Sequence, residues 1–336
     1  MNHDKANELA TTLQASLPIE ARPFRGLADR IGVEEGEVID QLRAWDDEGL
    51  LREISAILEG ETFGNDSALV TCSVGDERIE EVAEIINRHP TVTHNYRRNH
   101  DYDLWFTISI PPHMEMDRTL RFLSRDTGID EFHVLRRTET YKIGVNFDLE
   151  TKKSCTEKKE LGSPEPMRPT ERQRRMFRAI QTPMPLERTP FDELATSAGV
   201  EPKELLAFTR EMLGRGAIRR YVGTFRHRRI GVRGNGMAVW NVPSVRQTDV
   251  GQTLAGAPEV SHCYARNAAP GFPYNVYSMI HGPDRASVRE VASRLSAEIG
   301  LDDYIVLFST HEFKKCRLRY FQPELERWWN QHIRAA

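Results

Sequence analysis

Apolar and polar positions alternate along this chain in two registers, first helical and then strand-like, and the whole succession occurs twice. Around Phe24 to Leu51 the apolar residues Leu27, Ala28 and Ile31, then Val38, Leu42 and Trp45, fall at helical spacing on either side of a Gly32-Val33 turn. Gly49-Leu50-Leu51 and Gly216-Ala217-Ile218 end the second helix of each copy and lead into short strands, Ile54 to Leu58 and Tyr221 to Phe225, which predicts a winged helix-turn-helix. The pattern then changes. Strands are predicted near Ala68–Val74, Val92–Arg98, Leu104–Ile110 and Phe132–Tyr141, with helices over Asp76–Arg88 and Met114–Asp126. The second copy predicts strands near Gly236–Val242, Val260–Arg266, Asn275–His281 and Tyr304–Phe313, with helices over Val245–Ala255 and Ala286–Ile299. The order β-α-β-β-α-β is that of a ferredoxin-like sandwich.

The duplication is visible in the residues. Pro23-Phe24, Leu27-Ala28 and Gly32-Val33 recur as Pro190-Phe191, Leu194-Ala195 and Gly199-Val200, 167 positions on. Val92, His94, Tyr96, Arg98 and Asn99 recur as Val260, His262, Tyr264, Arg266 and Asn267 at an offset of 168, and Val134-Leu135, Thr138 and Lys142 as Val306-Leu307, Thr310 and Lys314 at 172. The fold class is therefore α+β, two tandem units of about 150 residues, a domain-scale length. Winged helix-turn-helix segments fall at 8–60 and 171–230, and ferredoxin-like domains at 61–148 and 231–316. A charged, proline-bearing linker covers 149–170, and the tail 317–336, with Tyr320, Phe321, Trp328 and Trp329, reads as a docked helix because four exposed aromatics would be a liability. An intramolecular repeat with apolar strands in both units predicts that the two sandwiches pair face to face.

Composition narrows the class. Hydrophobic residues make up 39% and charged residues 29%, as in soluble globular proteins, and the net charge of −4 supplies no global basic field. Cys72, Cys155, Cys263 and Cys316 are far apart and form no metal-like pair. The first residues show no targeting pattern, and no apolar run approaches the ~20 residues that span a bilayer. A cytoplasmic protein with reduced thiols and no membrane contact is expected.

The chemistry concentrates in Val260 to Gly282 and in its echo, Val92 to Ile110. Each carries a His, a Tyr and an Arg two residues apart: His94, Tyr96, Arg98 and His262, Tyr264, Arg266. That spacing on a strand puts all three on one face. A face of imidazole, phenol and guanidinium makes a poor core and a plausible wall for a flat, anionic, partly apolar ligand.

A winged helix-turn-helix followed by such a sandwich resembles transcriptional regulators of the leucine-responsive/AsnC type, which would bind DNA and an amino acid. Charge opposes that reading. The second helix of the first unit, Glu34 to Glu48, has seven acidic residues and one basic. Its counterpart, Glu201 to Arg215, balances Lys203, Arg210 and Arg215 against three Glu. Binding to DNA rests on neutralising phosphates with Lys and Arg, so specific DNA binding is not expected.

The stretches HNYRRNHDYDLWFT, His94 to Thr107, and HCYARNAAPGFPYNVYSMIHG, His262 to Gly282, resemble the signature strands of the two subunits of siroheme decarboxylases, relatives of the AsnC type that occur as two homologous subunits or as a fusion. RHRR at Arg226 to Arg229, followed by MAVWNVP at Met237 to Pro243, is similar to the second subunit type. The resemblance covers nearly the whole chain except the hinge and the tail. It implies removal of CO₂ from two acetate side chains of siroheme, giving didecarboxysiroheme for the alternative heme or heme d1 routes. A non-catalytic tetrapyrrole carrier is the other reading.

For that reaction, Arg97, Arg98, Arg226, Arg228 and Arg266 are candidates to hold carboxylates, since the planar guanidinium pairs with a carboxylate bidentately. His94, His100, His227, His262 and His281 are candidates as proton donors or as an axial ligand to the substrate iron. Tyr96, Tyr102, Tyr264, Tyr274 and Trp105 could line the macrocycle or donate hydrogen bonds, Trp105 being the best candidate for plain core. The assignment is His227, His262, His94 and Tyr264 as catalytic. Arg97, Arg98, His100, Arg226, Arg228, Arg266, Tyr274 and His281 are assigned to substrate binding. No protein metal and no cofactor beyond the substrate's own iron are expected, because the macrocycle can absorb the negative charge left by CO₂. The second unit is richer in Arg and His, which favours one principal pocket and leaves two equivalent pockets, and a homodimer, open.

Overall fold

The computed structural model describes residues 1–143, 146–147, 154–155, 165–225 and 234–335. The first unit opens with helices α1 (His3–Ala15), α2 (Pro23–Ile31) and α3 (Glu35–Asp47) and strand β1 (Leu51–Leu58). Its sandwich follows as β2 (Asp66–Cys72), α4 (Ile79–Asn87), β3 (His94–Arg98), β4 (Leu104–Ile110), α5 (Met116–Thr127) and β5 (His133–Ile143). A two-residue pair, β6 (Asn146–Phe147) and β7 (Ser154–Cys155), precedes the second unit. That unit has α6 (Glu171–Ile180), α7 (Pro190–Ala198), α8 (Pro202–Gly214) and β8 (Ile218–Phe225). Its sandwich is β9 (Gly234–Trp240), α9 (Gln247–Gly256), β10 (Val260–Arg266), β11 (Val276–Gly282), α10 (Arg285–Ile299) and β12 (Tyr304–Lys315), and α11 (Pro323–Arg334) closes the chain.

The repeated Pro-Phe…Gly-Val signature marks the two ends of one helix. Pro23 and Pro190 stand in the first turn of α2 and α7, where a missing N–H costs nothing. Gly32 (φ 72°) and Gly199 (φ 67°) end those helices in the left-handed conformation, which side chains with a Cβ adopt only at a cost.

Two expectations are modified by how the units meet. Each predicted wing is a single strand whose partner belongs to the other unit: β1 and β8 run antiparallel, with Ile54 opposite Gly223 and Ala56 opposite Tyr221. Together they form one two-stranded sheet over a shared helical core that includes Phe24, Leu42, Phe177, Phe191 and Phe208. The sandwiches face one another, and their sheets also join at both edges. The fourth strand of each unit extends past its own sheet to pair with the second strand of the other, β12 with β3 and β5 with β10. The result is a closed eight-stranded barrel, β10-β11-β9-β12-β3-β4-β2-β5, which has no open edge. Outward residues such as Val70 and Phe106, or Trp240 and Ile280, pack under helices, whereas inward Leu69, Trp105, Leu135, Val239, Tyr277 and Leu307 form a core shared by both units.

The tail docks. Trp328 and Trp329 are buried on the first unit's helix layer against Phe122, and Phe321 packs on Phe63 and Phe177. A segment belonging to the second unit thus covers the first.

Candidate functional site

Each His–Tyr–Arg trio forms a row along the inner face of the barrel, as two-residue spacing demands. His94 and Tyr96 have ring centroids 6.2 Å apart, and the Arg98 guanidinium lies 5.7 Å from the Tyr96 ring. In the second unit the matching separations are 6.1 Å and 5.6 Å. Each row runs from a polar end at the histidine to an aromatic end at the arginine.

At the aromatic end the two arginines interlock the units. Arg98 Nη1 donates to Leu307 O at 3.1 Å, and Arg266 Nη1 donates to Leu135 O at 2.8 Å, each to the other unit's fourth strand. The following asparagines repeat the exchange: Asn99 Oδ1 accepts from Phe308 N, and Asn267 Oδ1 from Arg136 N, both at 2.6 Å. Arg98 also lies 5.9 Å from the Trp105 ring, and Arg266 5.5 Å from Tyr277. Burial pushes both guanidiniums down, Arg98 to about 10. His100 and Tyr274 belong to this end too, both packed on Phe272, with His100 Nδ1 accepting from Tyr102 N.

At the polar end, His94 and His262 are close enough for the charge of one to bear on the other. Both imidazoles are pushed down to about 4. Burial is the first cause; the neighbouring cations Lys315 and Arg52 add to it for His94, and His281, Arg219 and Lys142 for His262. At neutral pH both rings are uncharged. Thr93 Oγ1 lies 3.0 Å from His94 Nδ1, and Ser261 Oγ 2.8 Å from His262 Nδ1, so each Nε2 has no protein hydrogen bond among the described residues. Tyr264 lies beside them with the Arg137 guanidinium 5.8 Å from its ring.

Arg52 on β1 and Arg219 on β8 bring the two-stranded sheet over this end. Glu312 stands opposite Tyr96 on β12, and other carboxylates nearby are engaged. Glu53 is spent on Arg317 (3.0 Å) and Arg319 (3.3 Å), Glu61 pairs with Arg137, and Glu59 reaches Arg219 only at 4.0 Å. No described carboxylate pairs with Arg52. The arrangement is a cationic mouth with neutral imidazoles beneath it, suited to an anionic ligand carrying several carboxylates.

The candidates read from the sequence are thereby sorted. The structure brings together His94, His262, Tyr264 and His281. It sets Arg98, Arg266, His100 and Tyr274 at the aromatic end. Arg97 lies on the opposite face, because it is one residue out of phase with the trio, and it pairs with Asp76. Arg226, His227 and Arg228 lie outside the described residues. Sequence reasoning missed Arg52, Arg219, Arg137, Lys315 and Ser261. A signal for two of them existed: Arg52 and Arg219 stand at the 167-residue offset of the repeat. Arg137 and Lys315 depend on strand pairing across units, and Ser261 on an irregularity in the pairing of β10 with β11.

Comparison with known proteins establishes the family and the fold. Residues 62–142 and 229–314 match the AsnC-like ligand binding domain, and 7–52 and 173–219 match the siroheme decarboxylase NirDL-like HTH domain. The chain is 36% identical to siroheme decarboxylase of Hydrogenobacter thermophilus over 98% of both proteins. It is 30% identical to the siroheme decarboxylase NirDL subunit of Paracoccus pantotrophus over 90% of this chain and 93% of that one. The siroheme decarboxylase beta subunit of Methanosarcina barkeri is 36% identical over 43% of this chain and 95% of that subunit, so it corresponds to about half of this chain. Crystal structures of the siroheme decarboxylase NirDL, alone and in co-complex with an iron-uroporphyrin III analogue, superpose with a TM-score of 0.80 at 32% identity, over 98% of this chain and 99% of that one. With its duplicated helix-turn-helix and sandwich, its paired His–Tyr–Arg rows and these full-length likenesses, the chain belongs to the siroheme decarboxylase family in its fused, two-unit form.

Proposed function

We propose that this protein removes CO₂ from two acetate side chains of siroheme to give didecarboxysiroheme. The observation that carries the reading is the polar end of the barrel, where neutral His94 and His262 lie under Arg52 and Arg219 while the nearby Glu53 and Glu61 are committed to other arginines. A polycarboxylate macrocycle supplies the missing negative charge. Arg52, Arg219 and Lys315 would hold its peripheral carboxylates, and Tyr96 and Tyr264 would flank the ring. Breaking the bond to CO₂ leaves an electron pair on the methylene, delocalised into the macrocycle, and one proton converts it to methyl. No organic cofactor is required for this, since the ring itself is the electron sink. His262 is the favoured proton donor, with His94 its counterpart across the barrel, and Arg226, His227 and Arg228 remain candidates from the sequence alone. The arginines Arg98 and Arg266 fix the two rows rather than bind carboxylates, since their Nη1 atoms already serve the opposite unit's carbonyls.

The test is anaerobic incubation of the purified protein with siroheme, followed by mass spectrometry. Loss of two CO₂ per macrocycle supports the reading. An unchanged mass together with a spectral shift would replace it with tetrapyrrole binding alone.

A further inference from the structure

Four side chains of the second unit form a continuous hydrogen-bonded chain that has no counterpart among the described residues of the first unit. Asn235 Oδ1 lies 2.5 Å from His281 Nδ1, His281 Nε2 lies 2.6 Å from Ser261 Oγ, and Ser261 Oγ lies 2.8 Å from His262 Nδ1. A β-bulge makes this possible. Val260 pairs with Ile280 and His262 with Met279, so Ser261 is the extra residue, and its hydroxyl turns to the same side as the His262 ring. In the first unit Thr93 takes the place of Ser261, but it bonds Thr107 Oγ1 at 2.8 Å, and Ser109 stands where His281 stands in the second. Among the described residues, no titratable group follows the hydroxyl there.

We propose that His281 and Ser261 are a proton relay that recharges His262 during decarboxylation, which makes the second unit the proton-delivering side of the site. The proposal rests on the decarboxylase reading above. The hydrogen-bond chemistry dictates how the chain works. An amide oxygen only accepts, so His281 Nδ1 carries a proton. While His281 is neutral, its Nε2 accepts from the Ser261 hydroxyl, and Ser261 in turn accepts from His262 Nδ1–H. His262 then shows an unprotonated Nε2. When His281 is protonated, its Nε2–H donates to Ser261, Ser261 donates to His262 Nδ1, and the proton of neutral His262 resides on Nε2.

From that charged state the step balances. The C–CO₂ bond breaks and its electron pair stays on the methylene carbon. The carbon takes the proton of His262 Nε2, His262 Nδ1 takes the hydroxyl proton of Ser261, and Ser261 takes the Nε2 proton of His281. His281 ends neutral, and one solvent proton restores it for each CO₂ released. Burial and Lys315 push His281 down, and burial with His281, Arg219, Lys142 and His94 pushes His262 down, so the relay is discharged in the free protein. Substrate carboxylates set against these cations favour the charged relay, which ties proton loading to occupancy. His281 and Ser261 act through His262 and are positioning residues; His262 alone would meet the substrate.

The test compares wild type, Ser261→Ala, His281→Gln and Ser261→Thr, the last restoring a hydroxyl of the kind the first unit already holds at Thr93. Siroheme affinity is read by spectral titration, and turnover by anaerobic CO₂ release across pH. The expected result is affinity within a few-fold of wild type, turnover lower by roughly 10²–10⁴-fold in Ser261→Ala and His281→Gln, and recovery in Ser261→Thr. Wild-type turnover should fall as pH rises through the His281 titration in the complex, and this limb should vanish in the first two variants. Turnover within a few-fold of wild type in both overturns the relay and leaves decarboxylation standing. A wild type that binds siroheme and releases no CO₂ overturns decarboxylation and the relay with it. A measurement on the unaltered protein guards against variants that do not fold: ¹⁵N-histidine spectra at neutral pH should show His262 as the Nδ1–H tautomer. Finding it Nε2–H beside a neutral His281 overturns the proposal.

Discussion

Substrate binding should draw protons onto the site, and the structure sets both the sign and the scale. His94 and His262 stand at about 4 in the free protein, against an ordinary imidazole value of 6.5. Restoring one ring fully would mean stabilising its protonated form by about 3 kcal/mol, at ~1.36 kcal/mol per pKa step. Burial, the larger cause, persists or deepens when a macrocycle covers the rings. The repulsion from Lys315, Arg52 and Arg219 is reversed by carboxylates, and a nearby opposite charge typically recovers ~1–3 of those steps. The bound values therefore exceed the free ones. Imidazoles whose pKa rises on binding take up protons, so affinity should rise as pH falls from about 7 to about 5, below which substrate carboxylates begin to protonate. Isothermal titration of siroheme or a redox-inert metallo-uroporphyrin, at one pH in buffers of different ionisation enthalpy, gives the proton count directly. A net uptake, growing from pH 7.5 to pH 5.5, is expected. No uptake, or release, across that window would refute the placement of the carboxylates against the imidazole end.

Arg52→Ala and Arg219→Ala should each weaken siroheme binding by about 1.5–3 kcal/mol, the worth of a charge-assisted hydrogen bond, with turnover of the bound substrate largely kept; spectral titration and single-turnover CO₂ release separate the two. Glu53→Gln removes the carboxylate that holds Arg317 and Arg319 against β1, and should cost about 2–4 kcal/mol in urea unfolding, toward the lower side for a buried pair because Arg319 reaches solvent. The protein should give no sequence-dependent mobility shift with duplex DNA at physiological ionic strength, since α3 carries seven acidic residues and one basic over Glu34–Glu48.

Much of this molecule was legible in the order of its residues. The spacing of apolar positions predicted the helices and strands, with β10 at its observed bounds of Val260–Arg266. The offset repeats established two units and pointed to their pairing. Two-residue spacing put His, Tyr and Arg of each trio on one face, because strand periodicity is a local property of the backbone. What each member of a trio does was not local. Whether an arginine on the inner face meets a ligand or a carbonyl depends on which strand lies opposite, and that was settled only when β12 paired with β3 and β5 with β10. The same pairing committed Arg98 and Arg266 to carbonyls of the opposite unit. Ser261 is a small polar residue in the sequence and becomes the link between two imidazoles only because a bulge opposite Ile280 and Met279 turns it inward. Arg52 and Arg219 share a repeat offset, but their convergence over the barrel required β1 and β8 to pair across the units. Local periodicity determined the elements and their faces; pairing between strands distant in sequence, which no local rule encodes, decided which of those faces became a site.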